Sequence, residues 1–304
     1  MSKIFSFFED HIMLVACLFL AGTFVFGTFS VASFSTLDLI FLRFFIAAVC
    51  IFVLIRIKSL SIALPKELYL RLFALSLVGI TIYHWLLFKA IASSTALNNS
   101  LLSATVPIIT LILSVLFFGE RMNMRSLTGM LMSFCGVGII ISGGSIHNIL
   151  NISFNSGDLF MLSGVLLLSI YFNMLKSVLN RMNPLVVAFY LFFFSVVVLL
   201  PFVAQGPLSR FQGLPSAAWY SLFYMGIFAS VFALVIQQFS IKRIGPAKTA
   251  LYLNLIPVFS LLLSLLFLDE TVHLHYLISL VIILSGVYIT LSKKSKTPAP
   301  HSAR

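Results

Sequence analysis

Residues 105–121 read TVPIITLILSVLFFGER, and residues 256–271 read IPVFSLLLSLLFLDET. The first is an apolar run with a proline near its start that stops on a glutamate and an arginine. Inside a soluble helix that proline would remove a backbone hydrogen bond and clash with the preceding turn. The run is also short for a membrane crossing, which takes about 20 mostly apolar residues, unless the residues before it join in. The second stretch matches the first at a constant offset of 150 residues. Pro107 meets Pro257, Ser114 meets Ser264, Phe117 meets Phe267 and Glu120 meets Glu270. The register runs on without a gap into Leu127 and Leu277, then Gly136-Val137 and Gly286-Val287. From 101 to 139, twelve positions are identical to their partners at 251–289. Leucine identities carry little weight in so apolar a chain, so the match rests on its proline, serine, glutamate and glycine.

The composition says what kind of molecule carries this repeat. Of 304 residues, 61% are hydrophobic and 9% charged, with a mean hydropathy of +1.13. Soluble domains run at about 45–50% apolar and about 25% charged. One large water-soluble core would have too few charges to cover its surface, so the chain is expected to be a polytopic membrane protein. The net charge of +11 is scattered through short loops, which argues against a nucleic-acid partner. Cys17, Cys50 and Cys135 lie far apart in apolar runs and form neither a metal spacing nor a disulfide framework. LVAC at 14–17 resembles a lipoprotein cleavage box. However, five residues between His11 and Cys17 fall short of the about 7–15 of a signal core, so the segment is expected to be an uncleaved first span.

Ten apolar runs are long enough to span: 12–33, 37–56, 69–90, 97–118, 126–143, 157–177, 184–204, 217–240, 247–268 and 274–292. β-barrel alternation is absent, and backbone hydrogen bonding in lipid then requires helices. The fold expected is an all-α membrane protein with short connections and a basic tail, SKKSKTPAPHSAR, at the end. Placing the N-terminus in the cytoplasm leaves Arg210 as the one basic residue in an outer loop. Arg43 and Lys89 then lie within spans, and the rest of the nineteen Lys and Arg fall inside, as the positive-inside rule asks. Both ends are therefore expected in the cytoplasm.

Each half holds five spans, an odd number, so the second copy would enter the membrane inverted. The expected units are residues 1–150 and 151–292, each a five-helix repeat, with 293–304 a cytoplasmic tail. Inverted repeats recur in secondary transporters, where the substrate sits near the midplane between the halves.

The two P-x6-S-x5-E copies at 107–120 and 257–270, each followed by a span with a Gly-Val pair, resemble the drug/metabolite transporter superfamily, EamA type. Gly157-Asp158-Leu159 opening the sixth span and Arg43-Phe44 in the second add to the resemblance. It covers nearly the whole chain and implies export or exchange of small metabolites, often amino acids, across a bacterial inner membrane. The tryptophan that often precedes a small residue in spans one and six is replaced here by Ala21-Gly22 and Ser169, so the substrate class does not transfer.

Several residues are candidates for handling a substrate. Pro107 and Pro257 are expected about ten residues into their spans, where the carbonyls of Ser103 and Leu253 lose their usual donor. Each proline is therefore either a fixed kink or a hinge beside a cavity. Asn98, Asn99, Ser100, Ser103 and Thr105 make the outer half of span four polar, and Tyr252 and Asn254 flank Pro257. Arg43, about two turns inside span two, suits a carboxylate or phosphate. Lys89 is expected to snorkel. His84, within Tyr83-His84-Trp85, is either a proton site or an interhelical hydrogen-bond partner, and Trp85 is placed to stack on a ligand. Asn173, and with them Gln237 and Gln238, are further lining candidates. Glu120 and Glu270 end their helices where the macrodipole disfavours them, which points to a gate or loop lock. Asp269 to His275, DETVHLH, mixes metal-ligand types at loose spacing, and no metal or cofactor is expected. Gly129-x3-Ser133 suits close helix packing.

The expected function is secondary transport of a small polar metabolite, an amino acid or relative leaving the cell, by alternating access. The alternative is import or exchange of a nucleotide-like or cofactor-like solute such as S-adenosylmethionine. An intramembrane enzyme would need clustered nucleophiles, acids or metal ligands, and the polar residues are instead dispersed. Expected partners are a small-molecule substrate and the lipid bilayer, with a homodimer left open.

Overall fold

A computed structural model describes residues 12–94, 102–119, 123–145, 147, 150, 155–267 and 274–291. The described secondary structure is helical. Helix α1 is Met13–Ser33, α2 Thr36–Ile57, α3 Lys66–Ser93, α4 Val106–Phe118, α5 Met124–Ile141 and α6 Ser156–Leu179. Then follow α7 Pro184–Ala204, α8 Ser216–Ile244, α9 Pro246–Tyr252, α10 Ile256–Phe267 and α11 Leu274–Leu291. Six of these, α2, α3, α6, α7, α8 and α11, are long and apolar enough to cross a membrane, and shorter apolar helices accompany them.

Local chemistry sets the helix ends. Ser35 caps α2, its Oγ accepting from the Asp38 amide at 3.2 Å. Asn155 and Asp158 form a reciprocal capping box at the start of α6: the Asn155 side chain accepts from the Gly157 and Asp158 amides, and the Asp158 carboxylate accepts from the Asn155 amide. Gly119 closes α4 at φ 64°, and Gly245 separates α8 from α9 at φ 92°, left-handed geometry that glycine adopts without a Cβ clash.

The packing pairs equivalent elements of the two halves. α5 lies along α11 and α2 along α7, while α3 packs on α6 and α1 on α8. α4 meets α6 as α10 meets α1. Between α5 and α11 the backbones are close. A Cβ on Gly129 would stand 2.5 Å from the Gly286 carbonyl oxygen, and one on Gly286 would stand 2.7 Å from the Ser133 amide nitrogen. This is the small-residue packing by which helices associate where water supplies no hydrophobic drive between them. Two buried apolar clusters result, one centred on α2, α3, α6 and α7, the other on α1, α5, α9 and α11. Large apolar side chains such as Phe45, Val53, Phe193, Val197 and Phe232 stay exposed on the outside, as lipid contact requires.

Two departures from regular α-geometry sit at matching places. Leu77–Ile82 in α3 and Met225–Leu234 in α8 are π-helical, and 77–82 advanced by 150 falls within 225–234. Such wide turns are rare and concentrate at functional sites.

Candidate functional site

The prolines come first, because the structure places them differently from the sequence expectation. Pro107 and Pro257 are each the second residue of a helix, α4 and α10, rather than interior residues of an unbroken span. In the first turn a missing N–H costs nothing. The chain reaches Pro257 through the 3-10 turn Leu253–Leu255, where the Ile256 amide donates to the Leu253 carbonyl that proline would otherwise leave without a donor. Before α4, Thr105 donates to the Leu102 carbonyl, from its amide at 3.1 Å and from Oγ1 at 2.6 Å. Each half therefore carries a helix break at the same register. Tyr252 and Asn254 flank the second break, both buried. The Tyr252 carbonyl accepts from Cys17 Sγ of α1 at 3.0 Å, and Asn254 Nδ2 donates to Ser133 Oγ of α5 at 3.2 Å.

Arg43, two turns into α2, is buried at 3% exposed. Its Nε donates to Ser230 Oγ at 2.8 Å, and Ser230 in turn donates to the Met225 carbonyl at 3.0 Å, inside the π-helical stretch of α8. Gly226 permits the approach: a Cβ there would stand 2.9 Å from Ile46 and 3.4 Å from the Arg43 carbonyl. The guanidinium carbon lies 5.4 Å from the Phe44 ring centroid. Phe44 meets His84 edge-on at 4.9 Å and stacks on Phe192 of α7 at 5.1 Å. His84 Nδ1 is 2.7 Å from the Ile80 carbonyl, and since a carbonyl only accepts, Nδ1 holds the proton. Tyr83 stands edge-on to His84 at 4.9 Å. A second cross-helix hydrogen bond runs from Thr81 Oγ1 of α3 to Ser195 Oγ of α7 at 2.9 Å.

The remaining candidates lie apart from this cluster. Trp85 is half-buried, with Lys89 Nζ 5.9 Å from its ring centroid and Phe160 edge-on at 6.2 Å; Lys89 itself is exposed. Asn173 is held between helices: Nδ2 donates to the Thr110 and Ser169 carbonyls at 3.1 and 3.0 Å, and Oδ1 accepts from Ser114 Oγ. Ser103 Oγ faces Met161 Sδ at 4.0 Å. Gln237 and Gln238 are buried in the last turns of α8, and the Gln238 amide has no hydrogen-bond partner among the described residues. Asn99, Glu120 and Glu270 lie outside the described residues, as does DETVHLH except for Leu274 and His275.

The sequence reading missed Ser230, Thr81 and Ser195. Single hydroxyls in apolar spans carry no spacing signal, and only the glycines beside the π-helical stretches, Gly79 and Gly226, hinted at close approach there.

The EamA-like transporter family model matches this chain twice, over residues 8–142 and 155–292. The chain belongs to the EamA-like transporter family. It is 25% identical to an uncharacterized transporter, YyaM, of Bacillus subtilis, across 91% of this chain and 92% of that one. It is also 25% identical to a probable terminal-alkyne amino-acid exporter of Streptantibioticus cattleyicolor, across 79% of this chain and 81% of the relative. A solved crystal structure superposes with a TM-score of 0.75 at 18% identity, covering 92% of this chain and 95% of the other, a likeness of fold. The protein is thus a multi-pass membrane transporter of the drug/metabolite type.

Proposed function

We propose that this EamA-like protein is a secondary transporter that exports a small polar metabolite, an amino acid or close relative, by alternating access. No enzymatic role is proposed. The observation that carries the reading is the recurrence of one broken element in both halves, at Pro107 and Pro257, beside helices that pair across the halves. Discontinuous helices at the interface of two repeats are how secondary transporters form midplane sites. Helical segments overlap all ten apolar runs, which supports ten spans arranged as inverted units 1–150 and 151–292. The charge distribution supports an orientation with both ends, including the basic tail 293–304, in the cytoplasm, and the family resemblance supports an inner-membrane location. The exporter named among the relatives handles an amino acid, which supports that substrate class here.

The test is flux from proteoliposomes loaded with the twenty radiolabelled proteinogenic amino acids in turn, with and without a pH gradient. At least one is expected to leave faster than from protein-free vesicles. Retention of all of them by folded protein would contradict the proposal.

A further inference from the structure

The charge balance around Arg43 points to the chemical group that the transporter recognises. Arg43 is the one buried Lys or Arg among the described residues. Among the described residues it makes one hydrogen bond, from Nε to Ser230, and no ion pair with a carboxylate. The described acids are engaged elsewhere. Asp38 pairs with Arg210 at 2.7 Å and accepts from Ser35 at 2.7 Å. Asp158 accepts from Ser94 and the Asn155 amide. Glu67 lies exposed beside Arg181. A guanidinium cannot shed its proton at physiological pH, and within a membrane-spanning helix a charge without a partner is costly enough to be rare. The two terminal nitrogens, a planar fork suited to bidentate oxygen anions, have no acceptor among the described residues.

We propose that the missing counter-charge is the substrate's carboxylate, bound by the terminal nitrogens of Arg43 while Ser230 holds Nε in place. This rests on the transport reading above and narrows it. Several features favour a carboxylate over a phosphate dianion. One buried cation balances one negative charge. The guanidinium faces the apolar ring of Phe44, which stacks on Phe192 and meets His84 edge-on. A dianion would leave an excess charge there that no other buried Lys or Arg among the described residues offsets. The site is contributed by both halves, α2 and α3 from one, α7 and α8 from the other. A bound carboxylate would therefore bridge the elements that must move relative to each other.

The test uses the full-length protein in detergent. Its unfolding temperature is measured with each of the twenty amino acids, with the carboxamide of each that stabilises it, and with inorganic phosphate. At least one acid is expected to raise the wild-type unfolding temperature while its carboxamide does not. Arg43→Gln is expected to weaken that acid's apparent affinity roughly 10–100-fold, as loss of a charge-assisted contact does. Arg43→Lys, which keeps the charge but loses the fork, should fall between, and Ser230→Ala should weaken binding less than Arg43→Gln. Should Arg43→Gln fail to fold, the acid-against-carboxamide comparison and Ser230→Ala still decide. Equal stabilisation by acid and carboxamide, stabilisation by phosphate alone, or no response to any acid overturns the inference. Flux separates it from the transport reading: acid and carboxamide moving equally well sinks the carboxylate and leaves transport intact. Carboxylate binding at Arg43 without flux does the reverse.

Discussion

Asn173 and Arg43 are both buried polar residues inside membrane-spanning helices, and their surroundings assign them different work. The Asn173 amide is used in full, bonding Thr110, Ser169 and Ser114, so it fastens α6 to α4. Asn173→Ala strands the Ser114 hydroxyl, while the Thr110 and Ser169 carbonyls keep their helical backbone donors. A loss of about 1–3 kcal/mol is expected, since an unsatisfied buried group costs that much. Reversible unfolding of the variant in detergent measures it, with the KM for any transported solute close to wild type. Arg43 shows the opposite balance, a charge with donors to spare. Asparagine, arginine and histidine were visible as candidates from the sequence, because polar side chains stand out in an apolar chain. Which of them were already satisfied was not visible, since that depends on partners up to 187 residues away, as for Arg43 and Ser230.

At the scale of elements, close packing and one ion pair set the expectations. α5 and α11 approach through Gly129, Gly286 and Ser133, with backbone on both sides. Gly129→Val has nowhere to go, and its cost should reach or exceed the roughly 1–3 kcal/mol of ordinary overpacking. A folded yield and unfolding temperature equal to wild type would contradict this packing. Gly119→Ala is the contrast: its Cβ meets nothing, but φ is 64°, so the cost should be the roughly 1–2 kcal/mol of left-handed backbone alone. At the start of α2, Arg210 from the 3-10 turn Leu208–Phe211 donates to Asp38 at 2.7 Å and to the Val203 carbonyl at 2.6 Å. Arg210→Gln leaves a buried carboxylate with the Ser35 hydroxyl as its one donor among the described residues, and should lower the unfolding temperature more than Arg181→Gln, whose partner Glu67 is exposed. Eight of the apolar runs locate their helices to within a few residues; 97–118 and 247–268 do not, because they hold the breaks. Pro107 and Pro257 were read there as either a fixed kink or a hinge, but a proline does not say whether the chain bends or restarts. The π-helical stretches left no trace, because one extra residue per turn scarcely disturbs a run that is apolar on every face.

Across the whole molecule, the 150-residue offset links sequence to architecture. It pairs Pro107 with Pro257, aligns α5 with α11, and matches the π-helical stretches of α3 and α8. Two like halves embracing one cation between them suit a carrier that binds its substrate once and presents it to either side. A pore would need a continuous wet path, whereas Phe44 beside Arg43 is buried in ring contact with His84 and Phe192. Counterflow tests the carrier directly. Proteoliposomes are loaded with an unlabelled amino acid that the protein moves, then diluted into a trace of the same compound carrying a radiolabel. The account predicts a transient accumulation of label inside, above its outside concentration, which Arg43→Gln abolishes. Label that only equilibrates, without an overshoot, would contradict alternating access.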